Sequence, residues 1–486
     1  MKLFKFYLFF ILVLLFFSRP ILAQNKKPVL WSLANCISTA KANNLLLKQT
    51  SLQIEVGKNN QKIVSNTRYP VLNGSVNQSF QSGRSIDPFS NLFTEDRVNY
   101  QNIVINMNMP IYDGNRTKYT MAINQLAIEA SKQDLKWTED NITILVIGAF
   151  FQVLNAEDQL AIVLKQEEKS KFELERAKTL QNEGLLSKSN VIDFQTQLAI
   201  DEVSTQIARN DVESSKSLLL QSINDKTSKN FKLERPNLSN AKPDIDKIIN
   251  ETINSPFLET RGNIISAKIK SKIAQKNVEL EASGNKPTVS LFGYLGTNYS
   301  SAAPKERFIG DGQQSSQKIT QTSDFINYNG QKLFVNNIVE KQSGSFQTFK
   351  YFNQLGFNFN RAIGVSIRIP IYNGFSTKYR TQNATISKKI ADFQTQEIEI
   401  QESNTLNISL INLNASYKKL EAINKQAIIM EQAFESIGVR YKEGSINTLE
   451  YILSKTRFDK TNLDLIQAKY EYIFRKTILD FYMNRL

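Results

Sequence analysis

The chain has 486 residues, 60 Lys and Arg against 46 Asp and Glu, a formal charge of +14, no histidine and one cysteine, Cys36. Without histidine no Ser-His-Asp or Cys-His relay can be assembled and no His-containing zinc site exists, and one cysteine makes no internal disulfide. A hydrophobic content of 41% and a mean hydropathy of −0.33 fit a folded chain and exclude a bundle of membrane helices, each of which needs about 20 apolar residues in a row.

Residues 1–23 read as a signal peptide. Lys2 and Lys5 precede an apolar run at 6–17, and Ile21-Leu22-Ala23 ends on a small residue. An exported protein is expected. Its lysines are spread along the chain without dense basic runs, so no nucleic-acid partner is expected. Cys36 is expected to pack as a small apolar residue.

Two segments nearly restate each other. PIYDGNRTKY at 110–119 and PIYNGFSTKY at 370–379 share seven of ten positions at an offset of 260. Glu183-Gly184 and Glu443-Gly444 keep that offset, and Gly114 to Gly184 and Gly374 to Gly444 both span 70 residues. The spacing predicts a duplication, with a first repeat at 24–240 and a second at 241–486.

Within each repeat the elements follow one order. A first helix leads to strands at about 70–81 and 98–112 in the first half and at about 287–299 and 354–372 in the second. Ile103, Ile105, Met107, Met109 and Ile111 alternate with polar residues, among them Asn102, Asn106 and Asn108. Residues 355–371 alternate for seventeen positions, with Ile363, Val365, Ile367 and Ile369 on one face and Arg361 as its exception. Long strands with one apolar and one Asn-, Ser- and Gln-rich face are what a membrane barrel requires. The segment at about 300–353 reads as an exposed, partly mobile loop. Helical hairpins are expected at about 115–224 and 375–484, because 117–183 and 375–443 lack proline and hold one glycine each, Gly148 and Gly438. Gly184 and Gly444 mark their tips. Four strands cannot close a membrane barrel, and an open edge in lipid leaves backbone groups unsatisfied. Several copies must therefore share one barrel; three copies supply twelve strands above a helical conduit.

The start LWSLANCISTAKANN (30–44), the duplicated P-[IL]-[YF]-[DN]-G turn (Pro110 to Gly114, Pro370 to Gly374) and the tips NEGLLSKSNVIDFQTQL (182–198) and YKEGSINTLEYILSKTRF (441–458) resemble the TolC family of outer-membrane efflux proteins, in the family's order over about residues 28–484. The resemblance implies a mainly α fold with membrane β-strands. As a homotrimer this would be a twelve-stranded outer-membrane barrel continued by a long periplasmic α-helical barrel. It implies an exit duct of a tripartite efflux pump or type I secretion system. The partners would be outer-membrane lipid, a periplasmic adaptor and an inner-membrane transporter of RND or ABC type. No catalytic residue, cofactor or metal is expected.

Aligned on the tip glycine, Glu450 matches an acidic position of the pore constriction and Tyr441 a tyrosine of the closing network. The first-half acid is replaced by Asn190, with Asp193 one turn on. Leu453 stands at a second acidic position and Ile446 at a basic latch position, so the family's latch is not transferred. Gly184, Leu185, Leu186, Gly444, Ser445 and Ile446 are expected to dock the adaptor. Two other readings compete: a secreted coiled-coil structural or adhesion protein without a pore, which leaves the alternating strands unexplained, and a secreted enzyme, for which no phosphate loop, metal spacing or nucleophile elbow is present.

Overall fold

The computed structural model describes residues 29–86, 93–94, 97–225, 231–235, 247–248, 250, 257–312, 316–341 and 343–483. The expected signal peptide and most of the join between the repeats lie outside these residues. The elements in chain order are β1 (Val29–Trp31), α1 (Leu33–Asn43), α2 (Leu45–Asn66), β2 (Val71–Gln81), β3 (Ser85–Ile86), β4 (Phe93–Thr94), β5 (Val98–Tyr112), α3 (Arg116–Asn182), α4 (Lys188–Ser222), β6 (Phe231–Leu233), α5 (Phe257–Thr260), α6 (Gly262–Ala282), β7 (Thr288–Ser300), β8 (Glu306–Gly310), β9 (Ser316–Tyr328), β10 (Gln331–Lys341), β11 (Gly344–Thr348), α7 (Tyr351–Phe357), β12 (Asn360–Arg368), α8 (Ser376–Lys442) and α9 (Thr448–Tyr482). The chain forms two compact units. One comprises residues up to Gly57, Leu126–Lys272 and Lys389–Leu486; the other comprises Lys58–Gln125 and Ile273–Lys388. Each unit draws on both halves of the sequence, so the compact units are not the two sequence repeats.

The second unit holds a four-stranded antiparallel sheet in the order β12-β7-β5-β2. Its register sorts the side chains by chemistry. Leu72, Met107, Gly293 and Ile363 lie in one row, and Met109, Leu291 and Val365 in another on the same face. The opposite face carries the row Asn77, Asn102 and Asn298 and the row Asn73, Asn106 and Tyr294. Arg361 joins the apolar face opposite Leu295. The edge strands β2 and β12 each have one hydrogen-bonded neighbour, and in a four-stranded antiparallel sheet they run in opposite directions.

The last strand is shorter than the alternation predicts. Residues 351–357 are the helix α7, and β12 spans only Asn360–Arg368. Side chains around α7 replace the ladder along the end of β7. Gln354 Oε1 accepts from Ser300 N at 3.0 Å, Asn358 donates to Asn298 O at 2.9 Å, and Thr297 donates to Leu355 O at 2.5 Å. The Ser300 N–H and the Asn298 carbonyl of β7 are thereby satisfied without a strand. The segment expected as a loop is also structured. β9 and β10 form a long hairpin, and β8 pairs with β11. The β9–β10 turn has Asn329 at φ 52° and Gly330 at φ 82°, the backbone of an Asn-Gly hairpin turn.

The two strand-to-helix turns belong to this unit. Pro110, which has no N–H to give, sits at a bulge in the β5–β7 pairing. Asp113 Oδ2 then accepts from Thr117 N at 2.7 Å at the start of α3. In the second copy Pro370 lies beyond β12, and Asn373 donates to Thr377 Oγ1 at 2.6 Å. Gly114 and Asn115 both have φ 72°, and Gly374 and Phe375 have φ 62° and 61°, so the repeat preserves an unusual backbone path.

In the first unit, the apolar stretch of α3 from Ile142 to Leu154 packs with Leu219 of α4, Cys36 and Ala40 of α1, and Tyr470 and Ile473 of α9. Trp31 of β1 stacks on Phe231 of β6 at 5.2 Å, and β1 and β6 pair in parallel. Cys36 is fully buried here, and burial pushes its thiol up to about 12. It therefore packs as an apolar residue in this core.

Candidate functional site

The tips of the two hairpins are built alike. α3 and α8 end in residues of left-handed conformation, Gly184 at φ 77° and Gly444 at φ 72°. Leu185 N donates to Leu180 O and Ser445 N to Arg440 O, both at 2.9 Å, while each glycine N–H donates to the carbonyl three residues back. This is the Schellman ending, for which glycine is the residue free of steric penalty. The returning arms are capped equivalently. Ser187 Oγ accepts from Asn190 N at 3.4 Å, and Asn447 Oδ1 accepts from Glu450 N at 2.8 Å. Asn190 and Glu450 therefore occupy the same helical position 260 residues apart.

Glu450 is exposed in the first turn of α9, where a carboxylate complements the positive end of the helix dipole. Asn190 and Asp193 are half-buried. Leu185 is 72% exposed, whereas Leu186 and Ile446 pack partly against the tip core. Among the described residues no hydrogen bond joins Tyr441, Glu450, Asn190 and Asp193 to one another. The residues that follow two of them are ring neighbours: Phe194, after Asp193, lies 6.4 Å from Tyr451, after Glu450.

Those rings form an aromatic cluster that sequence reading missed. Tyr441 stacks on Tyr451 at 4.7 Å, Phe194 approaches Tyr441 at 6.3 Å, and Phe434 lies 5.6 Å from Tyr451 and 5.0 Å from Phe458. Phe194 belongs to the first hairpin and the others to the second, so the rings stitch the two together. Tyr451 donates to Glu173 Oε1 at 3.4 Å, and Tyr441 shares a 3.3 Å contact with Thr448 Oγ1. Burial, followed by the charge of Glu173, raises the pKa of Tyr451, so it stays a neutral donor. Lys169 Nζ sits 4.3 Å over the Phe434 ring, and burial lowers its pKa against the pull of Asp459.

Further along the same helices lies a buried ionic cluster, also unforeseen. Lys455, 3% exposed at the side chain, bonds Asp201 of α4 at 3.1 Å and Asp459 of its own helix at 2.7 Å. Asp201 also accepts from Ser170 of α3 and from Gln197 at 2.8 Å. Burial raises the pKa of Asp459, opposed by Lys455.

The outer membrane efflux protein family model matches residues 36–224. The outer membrane protein TolC of Vibrio cholerae is 22% identical over 339 residues, 69% of this chain and 66% of that one. TolC of Escherichia coli is 21% identical over 352 residues, 71% of this chain and 62% of that one. The chain thus spans roughly two thirds of the length of these relatives. Among solved structures, the CmeC outer membrane channel of Campylobacter jejuni has a TM-score of 0.72 at 15% identity, covering 93% of this chain and 85% of that one. The outer membrane protein VceC of Vibrio cholerae has a TM-score of 0.70 at 12% identity, covering 93% and 95%. Residues 36–224 are thus similar to the outer membrane efflux protein family, and the chain shares the fold of the CmeC and VceC outer membrane channels.

Proposed function

We propose that the protein is a homotrimeric exit duct of the outer membrane with a periplasmic helical tunnel. It serves a tripartite efflux pump or a type I secretion system through a periplasmic adaptor and an inner-membrane transporter of RND or ABC type. The observation that carries this reading is the open sheet. Among the described residues its two edge strands each pair on one side only and run in opposite directions, one face is apolar and the other lined with asparagine. In lipid such a sheet needs its edges closed. Joining β12 of one copy to β2 of the next gives an antiparallel contact that repeats until the ring closes, and three copies supply the twelve strands of a barrel. The apolar face meets lipid and the asparagine face meets water. A coiled-coil protein without a pore has no use for this sheet. The chain itself catalyses nothing in this account.

At the tips, three symmetry copies of Glu450 facing one axis would favour cations over anions. Tyr441, Asn190 and Asp193 line the same constriction. Exposed Leu185, with Gly184, Leu186, Gly444, Ser445 and Ile446 beside it, forms the adaptor contact. The test is single-channel recording of the purified protein in planar bilayers. Wild type should conduct with cation preference, and Glu450→Ala should reduce that preference at least about twofold. Unchanged selectivity would remove Glu450 from the constriction, and a protein that forms no pore would contradict the duct.

A further inference from the structure

The geometry points to a lipid-binding cleft at one end of the four-stranded sheet, where Arg68 and Lys118 hold the phosphate of an anionic glycerophospholipid. The inference rests on the duct reading, in which the end of the sheet that leads into α3 is the periplasmic rim of the barrel. That rim lies beside the phospholipid leaflet of the outer membrane. The cleft is a groove of about 420 Å³, lined by Arg68 and Lys118 together with Met109 and Ile111. Met109 belongs to the apolar face of the sheet, and Ile111, 58% exposed, sits in the bulge beside it. Apolar residues of the lipid-facing side and two cations thus share one groove. That combination suits an amphiphile, with acyl carbons on Met109 and Ile111 and a phosphate on the cations.

Neither cation serves a carboxylate. Arg68 and Lys118 are exposed, and among the described residues neither forms an ion pair. Arg68 donates to the thioether of Met121 at 3.7 Å, a weak acceptor, and the rest of its planar fork is left for a ligand. Asp113 lines the same groove. Its carboxylate accepts from the Thr117 N–H at 2.7 Å and from the Thr117 hydroxyl, so it is held on the start of α3. Arg116, also exposed, adds a further positive charge beside it.

The second copy of the turn shows that the fold does not require a cation here. Pro287 precedes β7 as Pro70 precedes β2, which sets Asn285 where the first copy has Arg68. Asn373, the counterpart of Asp113, donates to Asn285 at 3.2 Å. One copy joins the two positions by a neutral hydrogen bond, and the other leaves a guanidinium on an apolar groove. At the far end of the sheet the signs are mixed, with Glu95-Asp96-Arg97 before β5 and Lys305-Glu306-Arg307 after β7.

Native mass spectrometry of the detergent-extracted assembly tests the cleft, with dioleoyl phosphatidylglycerol as the probe and the zwitterionic dioleoyl phosphatidylcholine for comparison. Wild type should bind phosphatidylglycerol at least about fivefold more tightly. Arg68→Asn, which installs the residue of the second copy, should weaken that binding about fivefold, as should Lys118→Gln. Lys305→Gln, at the far end, should change it by less than about twofold. No preference between the two lipids, or an equal loss in Lys305→Gln, would overturn the site, because a diffusely basic surface predicts that. Glycerophosphoglycerol, the same headgroup without acyl chains, should bind at least about tenfold more weakly than the lipid. Equal binding would make the groove a site for free phosphates and overturn the lipid assignment. If Arg68→Asn does not assemble, Lys118→Gln decides on the same criterion. Lipid preference in a protein that conducts nothing would uphold the cleft and remove the duct, and a conducting protein without the preference would do the reverse.

Discussion

Two buried cations in the helical unit hold helices together in different ways. Arg261, 7% exposed, reaches Asp140 of α3 at 3.3 Å and Glu402 of α8 at 3.2 Å, and its guanidinium lies 5.0 Å over the ring of Tyr482 at the end of α9. Asn263 supports Glu402 with a 2.5 Å hydrogen bond. Both carboxylates are on helices other than the one Arg261 precedes, so parting those helices would strip the guanidinium of them. Lys455 has one carboxylate on α4 of the first hairpin and one on its own helix. The first arrangement rivets separate helices through one guanidinium, and the second ties one helix to another while keeping a partner of its own. What distinguishes them is which helix carries each partner.

The largest effect tests the rivet. Arg261→Ala leaves Asp140 and Glu402 facing each other without their shared cation, and should lower stability by about 3–5 kcal/mol. Thermal unfolding followed by helical circular dichroism checks it; a loss under about 1 kcal/mol would show that Arg261 is dispensable. Lys455→Met should cost less in the same assay, about 1–3 kcal/mol, because Asp201 retains two neutral donors. A loss as large as that at Arg261 would erase the distinction between the two sites.

The pH dependence sharpens the contrast. Burial raises the pKa of Asp140 against the lowering pull of Arg261, and likewise that of Asp459 against Lys455. The folded chain thus holds these protons more tightly than the unfolded chain. Their contribution to stability is greatest below the ordinary carboxylate range and declines as pH rises through it toward the raised values. In Arg261→Ala, Asp140 loses its strongest lowering neighbour, so acidification should relieve the defect. The stability deficit should be smaller near about pH 5 than near about pH 8, and a deficit that grows in acid would reverse the assignment. The smallest effect is expected in the aromatic cluster. Tyr451→Phe keeps the ring stack and removes only the bond to Glu173, so a loss of about 0.5–1.5 kcal/mol should follow.

The hairpins were legible because their signals are local. Absence of proline across 117–183 and 375–443, and glycine at 184 and 444, place the helix bounds within a residue or two of α3 and α8. The fourth strand was over-read for a reason visible in YFNQLGF. Its apolar residues Tyr351, Phe352, Leu355 and Phe357 satisfy a helical period as well as half of an alternation, and contacts to β7 chose the helix. The hairpin of β9 and β10 carried a usable signal in Asn329-Gly330 between apolar runs, outweighed by the polar composition around it. The tip clusters had no local signal. Phe194 meets Tyr441 and Lys455 meets Asp201 across more than 240 residues. Duplication revealed the tips, and only tertiary packing revealed what joins them.

The central claim is that this open sheet closes by repetition of the chain. It is tested most directly by the native mass of the full-length protein extracted from outer membranes in detergent. A particle of three 55.4 kDa chains, less any cleaved leader and corrected for bound detergent, is the expected result. A single chain that stays in solution without detergent would contradict the shared barrel and the duct built on it.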